Sequence, residues 1–515
     1  MKKLRGYAVL ILMILSAGAV VLSGCGAGGR QGTDTSSITV GVANDIDSMD
    51  PNKTVSAGTR ELLFNVYEGL VKPDSDGNLV PAVASAYTVN EDASIYTFTL
   101  RDGVTFHDGT PVTADDVVYS IERCADASSG NPLAPAFSSI ASVEAADEKT
   151  VVITLHEGDS EFLSYLTTAV VPKNGSDYEN HPIGTGPYRF VSRTPGDNIV
   201  LEKYDGYWGD GTNGGNPAQI ASVTVKIVTN ADTIVTNLKG GSIDLFLHLN
   251  STQASQLGDG FTVAEGTMNL VQALYLNNAE KPFDDVRVRQ ALCFAMERTQ
   301  IMEAVSDGGG TALGSSVYPA YRKYFMPSLA DAYPTDTEKA KQLLSEAGYP
   351  DGFRFTITVP SNYRQHVDTA TVLKEEFKKI GVTADIEQVE WETWLSDVYQ
   401  NRSFSATVIG VDAGTLSATA LLGRFESSAE NNFINYSNAD YDKTYAEALA
   451  ETDDEAKTAL FMRCEEILSE DAANVYIQDL PDFVGYSSRF TGYRFYPLYV
   501  CDLTMIRPAG DAAAQ

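Results

Sequence analysis

From Thr337 to Val411 the sequence alternates helix and strand signals, and this repeat restricts the fold more than any other feature. Helical spacing runs through "TEKAKQLLSEAG", "VDTATVLKEEFKKIG" and "WETWLSDVYQ", with Gly348 and Gly381 placed as C-terminal stops. Between and after them lie "FRFTITV", "VTADIEQVE" and "FSATVIGV", rich in β-branched and aromatic residues. Parallel strands need a crossover connection, usually a helix, and this alternation supplies one between each pair. The region therefore predicts a mixed α/β lobe with parallel strands. Ahead of it, "VQALYLNN" reads as a buried strand and "DDVRVRQALCFAMERTQIMEAV" as a single helix. Two further helices cover roughly residues 440 to 470.

The first half is built of shorter pieces. "SITVGVA" reads as a strand, and "GTRELLFNVYEGLV" as an amphipathic helix with Leu62, Leu63, Val66, Tyr67 and Leu70 at helical spacing. Short strands follow, punctuated by Asp76-Gly77, Asp102-Gly103 and Asp108-Gly109. Thr113 opens a helix, since Asp116 stands three residues after a capping hydroxyl. One turn raises a chemical question. In "HPIGTGPYRF", His181 to Phe190, two glycines flank a threonine and could cradle a phosphate. Such a cradle needs a helix N-terminus after it, whereas Pro187 and "YRFVSR" read as a strand. An architectural turn is the reading that remains, with Gly184 and Gly186 permitting tight backbone angles.

Charge narrows the partners. A formal net charge of −32, from 69 acidic against 37 basic residues, repels nucleic-acid phosphates. At the N-terminus, "MKKLRGY" is basic and "AVLILMILSAGAVV" is apolar but shorter than a membrane span. "LSGC" then resembles a bacterial lipobox, which implies a signal peptide over 1–24, lipidation of Cys25 and a flexible tether over 25–37. The expectation is an exported protein held by lipid at the outer face of the cytoplasmic membrane, periplasmic if the source has an outer membrane. Cys124, Cys293, Cys464 and Cys501 show no C-x-x-C spacing and read as buried thiols, with a disulfide left as the alternative.

Several segments together resemble the extracytoplasmic solute-binding proteins, family 5, of peptide-type ABC importers. They are "DIDSMDP", "LLFNVYEGLV", "DGNLVPAVASAYTV", "YTFTLRDGVTFHDGTPVTADDVVYSIER", "PIGTGPYRF", "YDGYWG", "LKGGSIDLF", "KPFDDVRVRQALCFAMER", "EKAKQLLSEAGYPDGF" and "YSNADYDKTYAEAL", in order from about residue 38 to 480. The resemblance implies an α/β, two-lobed periplasmic-binding-protein-like (type II) fold with an extra mixed α/β subdomain inserted in the first lobe. It places lobe I at 38–79, 181–274 and 481–515, the insert at 80–180 and lobe II at 275–480. It further implies a monomer without cofactor that captures a peptide or small-molecule solute by hinge closure and docks on an ABC permease.

Candidate ligand contacts follow from that resemblance. Ser56, Ala57, Gly58 and Thr59 lie in a loop that in peptide-binding relatives pairs with ligand backbone. Tyr275 sits at the expected first crossing between lobes. Trp391 and Trp394 offer aromatic faces, against the plainer reading that they pack their own lobe. In many relatives an Asp-Pro pair marks the segment matching "VIGVDAGTLSATALLGRF", and an aspartate nearby anchors the ligand's α-amino group. No Asp-Pro occurs here, and Asp412 is the acid of this stretch. Either Asp412 anchors an amine or the ligand has no free amine there. Arg424 could pair with a carboxylate in bidentate fashion or stand at the surface.

Two rival readings stay open. The same fold could bind a metal complex or an oligosaccharide, or act as a sensor, although five scattered histidines argue against direct transition-metal ligation. A secreted hydrolase is the remote alternative, lacking G-x-S-x-G, H-E-x-x-H or a Walker lysine. No catalytic or metal-ligating residue is assigned.

Overall fold

The computed structural model describes residues 35–126, 128 and 134–510. The proposed leader, Cys25 and most of the tether lie outside the described residues. Among the described residues no helix is long and apolar enough to cross a membrane.

Two large sheets carry the molecule. The lobe I sheet has the order Phe261–Thr267, Pro481–Ser487, Leu245–Leu249, Ser37–Val42, Ser222–Ile227, Asn198–Lys203, Tyr188–Thr194. Lobe II has the order Thr311–Ala312, Asn474–Asp479, Leu270–Leu276, Ala406–Asp412, Arg354–Pro360, Thr383–Val389. Parallel pairing in lobe II joins Arg354–Pro360 to both Thr383–Val389 and Ala406–Asp412, where helices intervene in sequence. Elsewhere in that sheet the strands pair antiparallel. Leu270–Leu276 is buried at every position, as a strand covered on both faces should be. Its alternate side chains feed two cores: Val271, Ala273 and Tyr275 on one side, Leu274 and Leu276 on the other. Each large apolar side chain so buried contributes about 1.5–3 kcal/mol.

The insert is a four-stranded antiparallel sheet, Ala84–Val89, Ile95–Leu100, Thr150–Leu155, Ile140–Ala145 in spatial order. Tyr96, Phe98 and Leu100 face inward with Val151, Ile153 and Leu155, covered by Val117, Ile121 and Cys124 of helix Ala114–Ala125. Thr113 and Asp116 form the capping box that their spacing predicts. All four later cysteines are buried thiols, and Cys124 Sγ lies 3.1 Å from Thr168 Oγ1.

Three sequence expectations are corrected. "GTRELLFNVYEGLV" is helical only over Ala57–Leu63. Beyond it, the Asn65 and Val66 carbonyls accept the Tyr188 and Gly186 N–H groups, each at 3.0 Å, so tertiary partners replace the next helical turn. "DDVRVRQALCFAMERTQIMEAV" splits into Val286–Ala295 and Arg298–Ser306. There the Phe294 carbonyl accepts from Asp336 N–H at 2.8 Å and the Met296 carbonyl from the Thr335 hydroxyl at 2.9 Å. The third concerns the glycine turn. Neither Gly184 nor Gly186 has positive φ. A Cβ on Gly184 would stand 2.0 Å from the Val66 carbonyl oxygen, and one on Gly186 2.4 Å from that of Asn65. Close approach, not torsional freedom, requires these glycines.

Their N–H groups are also spoken for. Gly186 N–H donates to Val66, and Gly184 N–H donates to His107 Nδ1 at 3.2 Å. The proton of the neutral ring is thereby left on Nε2, which lies 3.0 Å from the Gly186 carbonyl. Burial lowers the His107 pKa to about 4, which keeps that ring neutral. Neither glycine amide of the turn is left for an anion, and strand Tyr188–Thr194 follows it.

The chain changes sheets at Met268–Asn269 and again at Leu480. The first change falls ahead of residue 275, because the strand holding Tyr275 is continuous from Leu270. Met268 N–H donates to the Leu480 carbonyl at 2.9 Å, tying the two connections together. Beside them His248 lies between Asp482 (Nδ1 to Oδ2, 2.9 Å) and Glu61 (Nε2 to Oε2, 3.1 Å), both carboxylates being buried. Burial opposes charge on His248, but Asp482 and Glu61 outweigh it and raise its pKa well above the ordinary value.

Candidate functional site

A cavity of about 170 Å³ opens between the lobes. Lobe I supplies most of its wall, including Arg60, Phe64, Glu68, Lys72, Tyr207 and Tyr499, while lobe II supplies Asp412 to Thr415 at the end of strand Ala406–Asp412. Thr167 and Thr168 come from the insert side. The site is therefore a large fixed wall facing one short loop.

Five charged side chains line it: Arg60, Glu68, Lys72, Asp412 and Asp502. Glu68 accepts from Trp208 Nε1 at 2.7 Å, Tyr207 Oη at 2.8 Å and Lys72 Nζ at 3.2 Å. Burial and the Glu68 charge together raise the Tyr207 pKa far above its ordinary value, so its hydroxyl stays a donor. Lys72 Nζ also stands 5.1 Å from the Trp208 ring centroid. Asp502 accepts from Tyr496 Oη at 2.7 Å and from the Thr504 hydroxyl at 2.6 Å. These partners belong to the lobe I wall and stay together when the lobes part.

Arg60 and Asp412 differ. Arg60 Nη2 donates to Asp412 Oδ2 at 2.7 Å across the cleft, while Nη1 holds the Val55 carbonyl at 2.8 Å. With side chains 34% and 27% exposed, the pair contributes at most about 1 kcal/mol net. A solute carrying opposite charges can displace it at small cost.

The sequence-based candidates divide on this geometry. Asp412 is in the cavity wall. Ser56 to Thr59 are not; Ser56 stands at the N-cap position of helix Ala57–Leu63 without a side-chain capping bond, its N–H donating to Asp47 at 3.0 Å, and Thr59 is buried. The wall instead takes Thr54 and Arg60 on either side of them. Tyr275 is wholly buried, its hydroxyl donating to the Val271 carbonyl at 2.9 Å, so it packs lobe II rather than facing solute. Trp391 and Trp394 stack on each other at 5.1 Å, with Trp394 Nε1 on the Thr407 hydroxyl at 2.9 Å. Arg424 turns back to the Ala420 carbonyl of its own helical turn at 3.3 Å. None of these four lines the cavity. Arg60 and Lys72 were missed. The one signal available was that they are the cations of the stretch from Ser56 to Pro73. Among the described residues no cluster of three or more His, Cys, Asp or Glu side chains is arranged to hold a metal ion.

Comparison with known proteins agrees with this architecture. Residues 78–433 match the family described as "Bacterial extracellular solute-binding proteins, family 5 Middle". The chain is 28% identical over 481 residues to the glutathione-binding protein GsiB of Salmonella typhimurium, covering 89% of this chain and 92% of that protein. Among solved structures, DppA from Helicobacter pylori in complex with peptide STSA superposes with a TM-score of 0.82 at 25% identity, over 92% of this chain and 98% of that one. AppA from Bacillus subtilis in complex with a nonapeptide gives 0.81 at 23% identity, over 92% and 99%. The chain is a member of the bacterial extracellular solute-binding proteins of family 5.

Proposed function

We propose that the protein captures a small peptide or peptide-like solute between its lobes and delivers it to an ABC permease in the cytoplasmic membrane. The observation that carries this reading is the Arg60–Asp412 pair: it is formed across the cleft, inside the cavity, and is weak enough to exchange. Opening the lobes separates a cation from an anion. A solute with an ammonium and a carboxylate satisfies both groups again as the lobes close. Lys72, donating to Glu68 and Tyr207 in the same wall, offers a second positive group to an anionic end.

Size limits the solute. A cavity of about 150 Å³ holds one benzene ring, so about 170 Å³ admits a fragment of that order, and a long peptide needs the lobes further apart. The "LSGC" segment supports an anchor through lipidated Cys25, which would keep the binder close to its permease. Native mass spectrometry of purified, undialysed protein tests the reading. Retention of a small solute with amine and carboxylate groups, weakened in Asp412→Ala, is the expected result. A retained oligosaccharide or metal complex would overturn it.

A further inference from the structure

The rim of the cleft holds a second contact between the lobes, outside the cavity. Lys457, on lobe II helix Asp454–Glu470, donates to Ser160 Oγ at 2.7 Å and Glu161 Oε1 at 3.0 Å of the insert. The other Glu161 oxygen accepts from the Ser417 hydroxyl at 3.0 Å and the Ala418 N–H at 3.2 Å. Tyr165 Oη and Thr419 Oγ1 meet at 2.8 Å alongside. Lys457 and Glu161 are only 7% and 11% exposed, unlike the half-open Arg60–Asp412 pair. Asp454, 4.0 Å from the same ammonium, is 75% exposed, so Glu161 is the partner that shields it.

Position gives this contact its role. On the insert side, latch and cavity share one short segment: Glu161 and Tyr165 reach lobe II, and Thr167 and Thr168 line the cavity. Lobe II repeats the arrangement, with Asp412 to Thr415 in the cavity wall and Ser417 to Thr419 in the latch. Whatever fixes one part of either segment fixes the other. Neither Glu161 nor Lys457 lines the cavity.

We propose that Glu161 and Lys457 are positioning residues for solute capture: their ion pair, with Ser417, Ala418 and the Tyr165–Thr419 contact, holds the Asp412–Thr415 loop against the lobe I wall and sets how far the lobes close before solute arrives. The proposal rests on capture by closure, yet it concerns the empty protein and needs no particular solute. An open cleft exposes the Lys457 ammonium and the Glu161 carboxylate to water, and closing removes both from it. That step is favourable only when each has the other. Latch and solute then favour the same state, so weakening the latch lowers apparent affinity without removing a solute contact.

Small-angle X-ray scattering on the full chain, freed of solute by unfolding, dialysis and refolding, tests it. Lys457→Met is expected to give a larger radius of gyration than the parent, with the open-to-closed ratio raised at least about tenfold, the loss expected for a charge-assisted hydrogen bond. Adding Glu161→Gln to Lys457→Met is expected to open the cleft little further than Lys457→Met alone, because one interaction is lost in either case, which two independent structural roles would not predict. If Lys457→Met fails to fold, Glu161→Gln is read instead, since the amide keeps an acceptor for Ala418 N–H and loses the charge and the acceptor that face Lys457. Unchanged scattering in the folded single variant, or fully additive opening in the double variant, overturns the proposal. Either result leaves the solute reading standing, because that is judged by mass spectrometry.

Discussion

The lobes meet in two ways, at the hinge and at the rim, and their polar contacts are organised oppositely. At the hinge, Glu61, His248 and Asp482 all belong to lobe I, and Met268 N–H and the Leu480 carbonyl join the two connections to each other. Rotation can occur there with these bonds intact, and the exposed contact from the Ser251 hydroxyl to Asp307, which joins the two lobes beside them, has to yield. Arg60–Asp412 in the cavity, and Glu161–Lys457 and Tyr165–Thr419 at its rim, join different bodies and must break when the cleft opens. Hinge polarity thus sets stability, and polarity at the cavity and its rim sets the balance between open and closed states.

The largest expected effect lies at the hinge. His248→Leu leaves two buried carboxylates facing each other without the cation, costing about 3–5 kcal/mol of unfolding free energy in urea titrations. The ligand-free scattering profile of the folded variant should match the parent. A large change in compactness would break the division between hinge and rim. Protonation sharpens it from another side. His107 has a folded pKa near 4 against about 6.5 unfolded, so the unfolded chain binds the proton first. Its contribution is complete above pH 6.5 and is lost as pH falls towards 4, on the order of 3 kcal/mol in all. For His248 the sign reverses: its raised pKa favours the folded state below about pH 6.5, and that gain is lost as pH climbs through the folded value. His107→Gln should flatten the stability profile between pH 4 and 6.5, and an unaltered slope there would remove His107 as its source.

Effects at the cavity and its rim are smaller and appear in binding. Asp412→Ala is expected to lower affinity for a free dipeptide by about 1.5–3 kcal/mol, and much less for its N-acetyl form. Calorimetry showing equal losses for both would take Asp412 out of amine recognition. Tyr165→Phe removes one neutral hydrogen bond and should weaken closure by about 1 kcal/mol with unchanged urea stability. A matching fall in unfolding free energy would mark Tyr165 as part of the fold alone.

Local chemistry in the sequence revealed much of the fold. The Thr113–Asp116 box, the Gly348 and Gly381 stops with φ of +92° and +84°, and the helix–strand alternation of lobe II each depend on neighbours within a few residues. The helix after Ser56 failed as an expectation because its next carbonyls are taken by Gly186 and Tyr188, partners remote in sequence. Of the candidate site, Asp412 was legible as the acid of its stretch. Arg60, 352 residues away from it, and Glu161 and Lys457, 296 apart, carry no local signal that pairs them. The tryptophans misled for a related reason: rarity draws attention, but a stacked pair inside lobe II satisfies their surface without any solute.

Solute capture by lobe closure has a direct readout. Ligand-free protein titrated with a panel of dipeptides should show, for those that bind, a fall in radius of gyration that saturates at the Kd found by calorimetry. Calorimetric binding at full occupancy with no contraction, in a protein whose lobes start apart, would contradict it.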